Sequence, residues 1–526
     1  MAKTQKIYRL RARQTAVDNS PQPLPASLTR AWQQARRRRA MWEPLWRSCY
    51  AYALPRYEAD PGAQPSAPYD GTAIFATTQL AASLLGEIAP PGARWCGLEP
   101  SAGLDENSRA TLAPILEASE RLLQEQFAAS NLSVELHQSL LDMVVAGTGC
   151  LLAEASAPGA ASALRFQSVP LAELALSAGD DGDIGVIFRR RAYRAEDFTD
   201  RFPEHSRVAQ NTTESADGAG DIVVVDALRP IDDGRWRCDS FLDEASRESD
   251  GAALLRTSHM SARPILVFRW TRTAGELWGR SPVMQALPEI RAANRIVDLS
   301  LRNAALSAVG VWQVDDDGVL DPTQIRLEPG TIIPRAVGSR GLSPLDTGRG
   351  FDLNQLILSE MRSHIRAALL SDRLAPTRGG KRTATEVLAE ASDNARVLGA
   401  HYGRLASELV QPLALRSLHL LSLQGLLPPP FSAAGLSRGK LPRGVSFRHR
   451  APLAQLQSQR DSANFFVFLE RLFSLGGAAL ETLDVDGAVR HSARLLGVPE
   501  SLLRSDTAAA SIGGCDSGIE RRESVL

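Results

Sequence analysis

Apolar positions along this chain fall into long helical stripes on either side of a group of strand-like runs. The longest stripe opens after Pro282, where Val283, Leu287, Ile290, Val297, Leu301, Ala305 and Ala308 recur at the three-and-four spacing of one buried helix face. A helix over 282–308 would be roughly 40 Å long at a 1.5 Å rise per residue. Glu289, Arg291, Arg295, Asp298 and Arg302 occupy its other face. Such a helix carries more apolar stripe than a small domain covers, and packing against copies of itself is one way to cover it. A Gly-, Pro- and Asp-rich insert with two short strand candidates follows over 309–350. Then come a returning helix over 351–370, a basic loop over 371–382 and a further long helix over 383–424. Pro412 falls inside that last pattern, where a missing backbone donor predicts a bend.

Upstream, residues 1–26 are basic and then Pro-rich, the composition of a disordered arm or one that orders on assembly. Ser27 is a candidate N-cap for a helix reaching about residue 53, with Leu28, Trp32, Ala35, Trp42, Leu45, Trp46 and Cys49 on its apolar face. The run Arg36–Arg39 invites a nucleic-acid reading, but the solvated face of an amphipathic helix explains it as well. A helix over 107–130 is marked by Leu112, Ile115, Leu116, Leu122, Leu123 and Phe127. A second starts at Asn131 and stops at Gly147 to Gly149. Strand-like runs follow at CLLAEA, ALRFQSVP, IGVIFRRRAYR, DIVVVDALRP, GRWRCDSFLD and RPILVFRWT, with a polar surface loop at 203–220. The fold class is α+β, mainly helical. Two more helices are expected at about 453–476 and 485–497, and a polar, small-residue tail from Asp506 reads as disordered.

Composition adds mainly exclusions. The 526 residues carry 59 basic against 60 acidic side chains, so no global field draws the chain onto nucleic acid. Nearly all the basic residues are arginine, a bias that a GC-rich genome explains. Cys49, Cys96, Cys150, Cys238 and Cys515 are widely scattered with no CxxC pair, which argues for a reducing compartment and against a disulfide framework or a structural zinc. Neither a secretory signal nor a run of about 18 apolar residues is visible, so a soluble chain made inside the cell is expected, with no membrane partner.

Catalytic motifs fail on inspection. The stretch at 379–383 resembles a phosphate-binding loop, but Ala375 stands at the first glycine position and Arg382 where a Ser or Thr would bind magnesium. GLSRGKL at 435–441 has too short a spacing. Val337 replaces the first glycine of a nucleophile elbow around Ser339. There is no HExxH, and DDDG at 315–318 lacks the alternation of a calcium loop. No enzyme activity and no cofactor is expected. Two features remain as binding candidates: the basic residues Arg373, Arg378, Lys381 and Arg382, and the acidic turn Asp315, Asp316 and Asp317. Taken alone, each is a solvated surface segment.

The ordered segments carry a resemblance. RW…GELWGRSPVMQALPEIRAANRI, an insert containing LEPGTIIP, then RTATEV and GRLASELVQPLALRSLHLLSLQGLLP together resemble the portal (head-to-tail connector) proteins of short-tailed, podovirus-type DNA phages. The stretch YDGTAIFATTQLAASLLGEIAPPGARWCGLEP and the helix–AGTG–strand order resemble that family's wing. The resemblance spans roughly 27–500. It implies a wing over 27–280, a stem helix over 281–308, a clip over 309–350, a returning stem helix over 351–370, a tunnel loop over 371–382, a kinked long helix over 383–424 and a crown over 425–505. It further implies a ring of twelve at one capsid vertex, through which double-stranded DNA is packaged and ejected. Partners would be the terminase large subunit, the major capsid and scaffold proteins and a tail adaptor. The chain would then act in the virion, after assembly in the host cytoplasm. In that geometry Arg373, Arg378, Lys381 and Arg382 form a belt facing DNA, and Asp315–Asp317 belong to a docking surface. Two rivals stand beside this reading: a helical scaffold or adaptor that forms no ring, and a metal-dependent nuclease or hydrolase.

Overall fold

The computed structural model describes residues 25–55, 68–101, 103–179, 182–214, 221–231, 234–243, 254–309, 312–314, 342–344, 351–371, 399, 401–429, 431, 436, 441–450, 465–472, 487–489 and 492. The amino-terminal stripe forms two helices, α1 (Ala26–Ala40) and α2 (Glu43–Ala53), where the sequence predicts one. Pro44 lies in the first turn of α2, where its missing N–H costs nothing, whereas in a continuous helix it would break the ladder. Ser27 is not the cap; α1 begins one residue earlier, after Pro25. Leu28, Trp32, Ala35, Trp46 and Cys49 are buried as the stripe requires.

Then come α3 (Thr72–Ile88), β1 (Cys96–Pro100), α4 (Glu106–Ala129) and α5 (Leu132–Ala146). Asp105 caps α4 by accepting from the Ser108 N–H, and Gly147 ends α5 at φ 82°. Next are β2 (Thr148–Ala155), β3 (Leu164–Ser168), β4 (Leu174–Ala178) and β5 (Ile184–Tyr193). The span 203–220, expected to be loop, instead holds a short 3-10 turn and α7 (Ser206–Glu214), just after α6 (Ala195–Arg201). A few apolar side chains explain it: Phe198, Phe202 and Ala209 pack into one cluster with Ile222, Val224 and Leu242.

After α7 the chain forms β6 (Ile222–Pro230), β7 (Trp236–Leu242), β8 (Leu254–Met260) and β9 (Ile265–Arg269). Strands β4 to β8 make an antiparallel five-stranded sheet in sequence order, and β2 is flanked by β3 and β9 in a second sheet. The first sheet is covered on both faces. Val225 packs under α1 with Trp32 and Phe188, while its neighbour Val224 points into the α6–α7 cluster, as alternation along a strand demands.

Helix α8 (Pro282–Val309) realises the long stripe, and β10 (Trp312–Val314) pairs antiparallel with β11 (Leu342–Pro344). Helix α9 (Phe351–Ala368) returns against α8. Where the sequence predicts a bend, the helix carries a π-helical turn, Ala406–Val410, in which the Gln411 N–H reaches back five residues to Ala406 O. Pro412 then occupies the first turn of α10 (Gln411–Leu423). A final strand, β12 (Val445–His449), was not foreseen; it pairs antiparallel with β1 across about 350 positions of chain. Of the two expected terminal helices, residues 465–472, 487–489 and 492 are helical, and the tail from Asp506 lies outside the described residues. The main core joins Leu80, Leu140, Ile290, Ile365, Leu413 and Leu418, so that α3, α5, α8, α9 and α10 share one interior.

Candidate partner and nucleic-acid interface

The hairpin of α8 and α9 is rooted in that core by a small set of polar contacts. Ser281 caps α8, its Oγ accepting from the Met284 N–H at 2.9 Å and donating to Val145 O at 2.8 Å. Just before it, Gly279 crosses Gly147 so closely that a Cβ on either would overlap the other's carbonyl oxygen. The Gly279 N–H donates to Thr148 Oγ1 at 2.9 Å. The AGTG and WGRSP segments, some 130 positions apart, therefore form one junction.

About three turns further along α8, Asp70 bridges both helices. Its backbone N–H donates to Asn294 Oδ1 at 3.0 Å, and its carboxylate accepts from Arg362 at 2.8 Å and from the Thr72 N–H at 2.9 Å. Burial works against the Asp70 carboxylate, but the Thr72 and Arg362 hydrogen bonds outweigh it and hold its pKa below the usual value. Asp298 accepts from Arg302 at 2.8 Å and from Arg295 at 2.9 Å, and the Arg302 hydrogen bond lowers its pKa.

Beyond this root the hairpin changes character. Val283, Leu287, Ile290 and Ala293 are buried, but Leu299 and Leu301 are 48% and 54% exposed, and Leu356 on α9 is 66% exposed. Leu301, expected on the buried stripe, is more than half exposed within this chain. Exposed leucines on a paired-helix surface are candidates for contact with another chain. Leu299 lies off the predicted stripe, and periodicity gave no signal for it. The Arg295–Asp298–Arg302 ladder was legible from its three- and four-residue spacing.

The candidate DNA-facing residues Arg373, Arg378, Lys381 and Arg382 and the acidic residues Asp315, Asp316 and Asp317 lie outside the described residues. What is described is the approach to the basic segment from each side. At the end of α9, Leu370 adopts a left-handed backbone (φ 55°), and Ser371 O accepts from Gln79 Nε2 at 3.3 Å. On the far side, His401 stacks on Trp270 with ring centroids 4.0 Å apart. Of the run Arg36–Arg39, the two end residues have intramolecular partners. Arg36 lies 3.7 Å from the buried Asp243 and above the Trp32 ring, and Arg39 pairs with Glu43.

Among the described residues no group of three or more His, Cys, Asp or Glu side chains could hold a metal ion, and no helix is long and apolar enough to cross a membrane. The described cysteines are free, and burial pushes the Cys49, Cys150 and Cys238 thiols up to about 12. What the described residues offer, then, is a rooted helical hairpin whose outer half exposes Leu299, Leu301 and Leu356, a candidate surface for other chains.

The comparisons make the class specific. A family described as "Bacteriophage head to tail connecting protein" matches residues 26–503. The chain belongs to that family, whose role in the virion is structural and not enzymatic. A probable portal protein of Bordetella phage BPP-1 is 24% identical over 513 residues, covering 90% of this chain and 87% of that one. The portal protein of Enterobacteria phage T3 is 23% identical over 168 residues, 32% of this chain and 31% of that one. Among solved structures, a chain from the virion of a native gene transfer agent (GTA) particle aligns at TM-score 0.33 and 13% identity, covering 80% of this chain and 88% of that one.

Proposed function

We propose that the chain is the subunit of a portal ring of twelve copies at one capsid vertex, forming the channel for double-stranded DNA packaging and ejection. The observation that carries this reading is membership of the head-to-tail connecting family across residues 26–503, alongside relatives called portal proteins. The structural support is the α8–α9 hairpin, whose inner half is buried in its own chain while Leu299, Leu301 and Leu356 face outward. A cyclic head-to-tail interface would cover such a strip and close on itself.

In this arrangement residues 27–280 are the wing, 281–308 and 351–370 the stem, 309–350 the clip and 425–505 the crown. The clip, with Asp315–Asp317, docks the terminase during packaging and the tail adaptor afterwards, and the wing meets capsid and scaffold proteins. Arg373, Arg378, Lys381 and Arg382 at 371–382 contact phosphates without reading bases, which leaves DNA free to slide. Force comes from the terminase, consistent with the broken phosphate-loop motif at 375–382.

The test is the mass and symmetry of the purified protein by native mass spectrometry and negative-stain class averages. Twelve chains of 56.8 kDa come to about 680 kDa, and closed rings near that mass with a central hole are expected. A chain that stays monomeric even with its scaffold and capsid proteins present would point to the ring-free adaptor instead.

A further inference from the structure

The π-helical turn at Ala406–Val410 is held from outside the helix. Glu408 accepts three hydrogen bonds from one residue: the Arg269 N–H at 2.9 Å, Arg269 Nε at 3.1 Å and Arg269 Nη2 at 2.6 Å. Arg404 adds a fourth at 3.2 Å. The Arg269 side chain is buried, and its Nη1 donates to Leu277 O at 3.2 Å, in the loop that leads to the cap of α8. Arg269 thus ties the π-turn to the root of the stem hairpin.

The residues before the turn carry a second regularity. His401 stacks on Trp270, with its Nδ1 3.3 Å from Trp270 O. The next residue, Tyr402, donates to His449 Nδ1, while His449 Nε2 donates to Ile88 O at 2.6 Å. A π-turn holds one residue more than an α-turn between the same flanks. If it tightens to α with every residue kept, the preceding helix advances by one residue, about 1.5 Å and 100°. Tyr402 then takes the place of His401 over Trp270, and Gly403 takes the place of Tyr402 opposite His449. An aromatic ring faces Trp270 in either register, and a side chain at Gly403 would meet nothing within 4 Å in the present one.

We infer that the helix running into α10 has two registers, and that the Arg269–Glu408 pair is the latch that selects the π register. Pro412 favours a break at this point because it withdraws a backbone donor from the turn. Arg269 and Glu408 are positioning residues: they set which side chain of the preceding helix faces Trp270 and His449. Any consequence for the basic segment 371–382, which precedes this helix in sequence, rests on the portal reading. The two registers do not.

The experiment is hydrogen exchange on the full-length protein with two variants, followed by a cryo-EM map of the first. Glu408→Ala should speed exchange of the 401–410 amides at least tenfold while leaving the 411–423 amides within twofold of wild type. Its map should show Tyr402 over Trp270. Deletion of Ser407, which is exposed, should yield a folded protein with a continuous α-helix and slower exchange at 401–410. The inference is overturned if Glu408→Ala leaves exchange at 401–410 unchanged, or raises it uniformly with His401 still on Trp270. Unfolding of the Ser407 deletion would overturn it too. Ring mass on the same samples reports separately on the portal reading, so a failure of one is distinguishable from a failure of the other.

Discussion

At the scale of single residues, Gly147 and Gly279 do what no other pair could. Gly147 needs the left-handed backbone that ends α5, and both positions need the absence of a Cβ where the two backbones cross. Alanine at either position should cost about 3 kcal/mol in denaturant unfolding, through overpacking and backbone strain together. Gly86→Ala is the contrast, since a Cβ there meets nothing within 4 Å and helix propensity favours alanine by up to about 1 kcal/mol. His419 makes a pH-dependent contribution. Burial, with Arg416 nearby, lowers its pKa from 6.5 to about 4. Between those values the unfolded chain binds a proton that the native state refuses, so stability falls as pH drops through that window, by up to roughly 3 kcal/mol. Melting curves between pH 7 and 4 should show a shallower acid slope for His419→Leu than for wild type.

At the scale of elements, α8 divides into a half buried in its own chain and a half that exposes Leu299 and Leu301. Leu299→Asp with Leu301→Asp should leave the unfolding transition of the isolated subunit within about 0.5 kcal/mol, as expected for exposed sites. The same pair should abolish the ring on negative-stain grids. Rings of normal mass from this variant would remove the outer half of α8 from the interface. How legible each element was followed from its physics. Helices α4, α5 and α8 were readable because their apolar spacing runs for three turns or more. The strands β4 (LALSA) and β8 (LLRTSHM) were not, because a five- or seven-residue run without clean alternation is held by its neighbours' hydrogen bonds and not by its own pattern. The break between α1 and α2 was signalled by Pro44, which the continuous stripe of Trp42, Trp46 and Cys49 masked. Helix α7 hid behind polar composition, since Val208 and Ala209 are its only apolar residues.

At the scale of the whole molecule, the basic segment is the part that a ring would change most. Four cations on one subunit are a modest patch, but twelve copies around an axis would make a belt with a steep salt dependence. Replacing Arg378, Lys381 and Arg382 by alanine should leave ring mass unaltered and impair DNA packaging or retention, read as the fraction of particles holding full-length genome. Normal packaging in that triple variant would take the segment out of the mechanism.

The sequence by itself determined the mainly helical α+β class, the long apolar stripe and the helix irregularity next to Pro412. Each of these is written in local spacing or in one residue's covalent constraints, so neighbours in sequence suffice to read it. Only the tertiary structure decided the pairing of β1 with β12, the crossing of Gly147 with Gly279, the Asp70–Arg362 bridge and the grip of Arg269 on Glu408. These contacts join positions about 130 to 350 residues apart, and no local period encodes which distant partner will satisfy a buried polar group. That choice is made when the core closes.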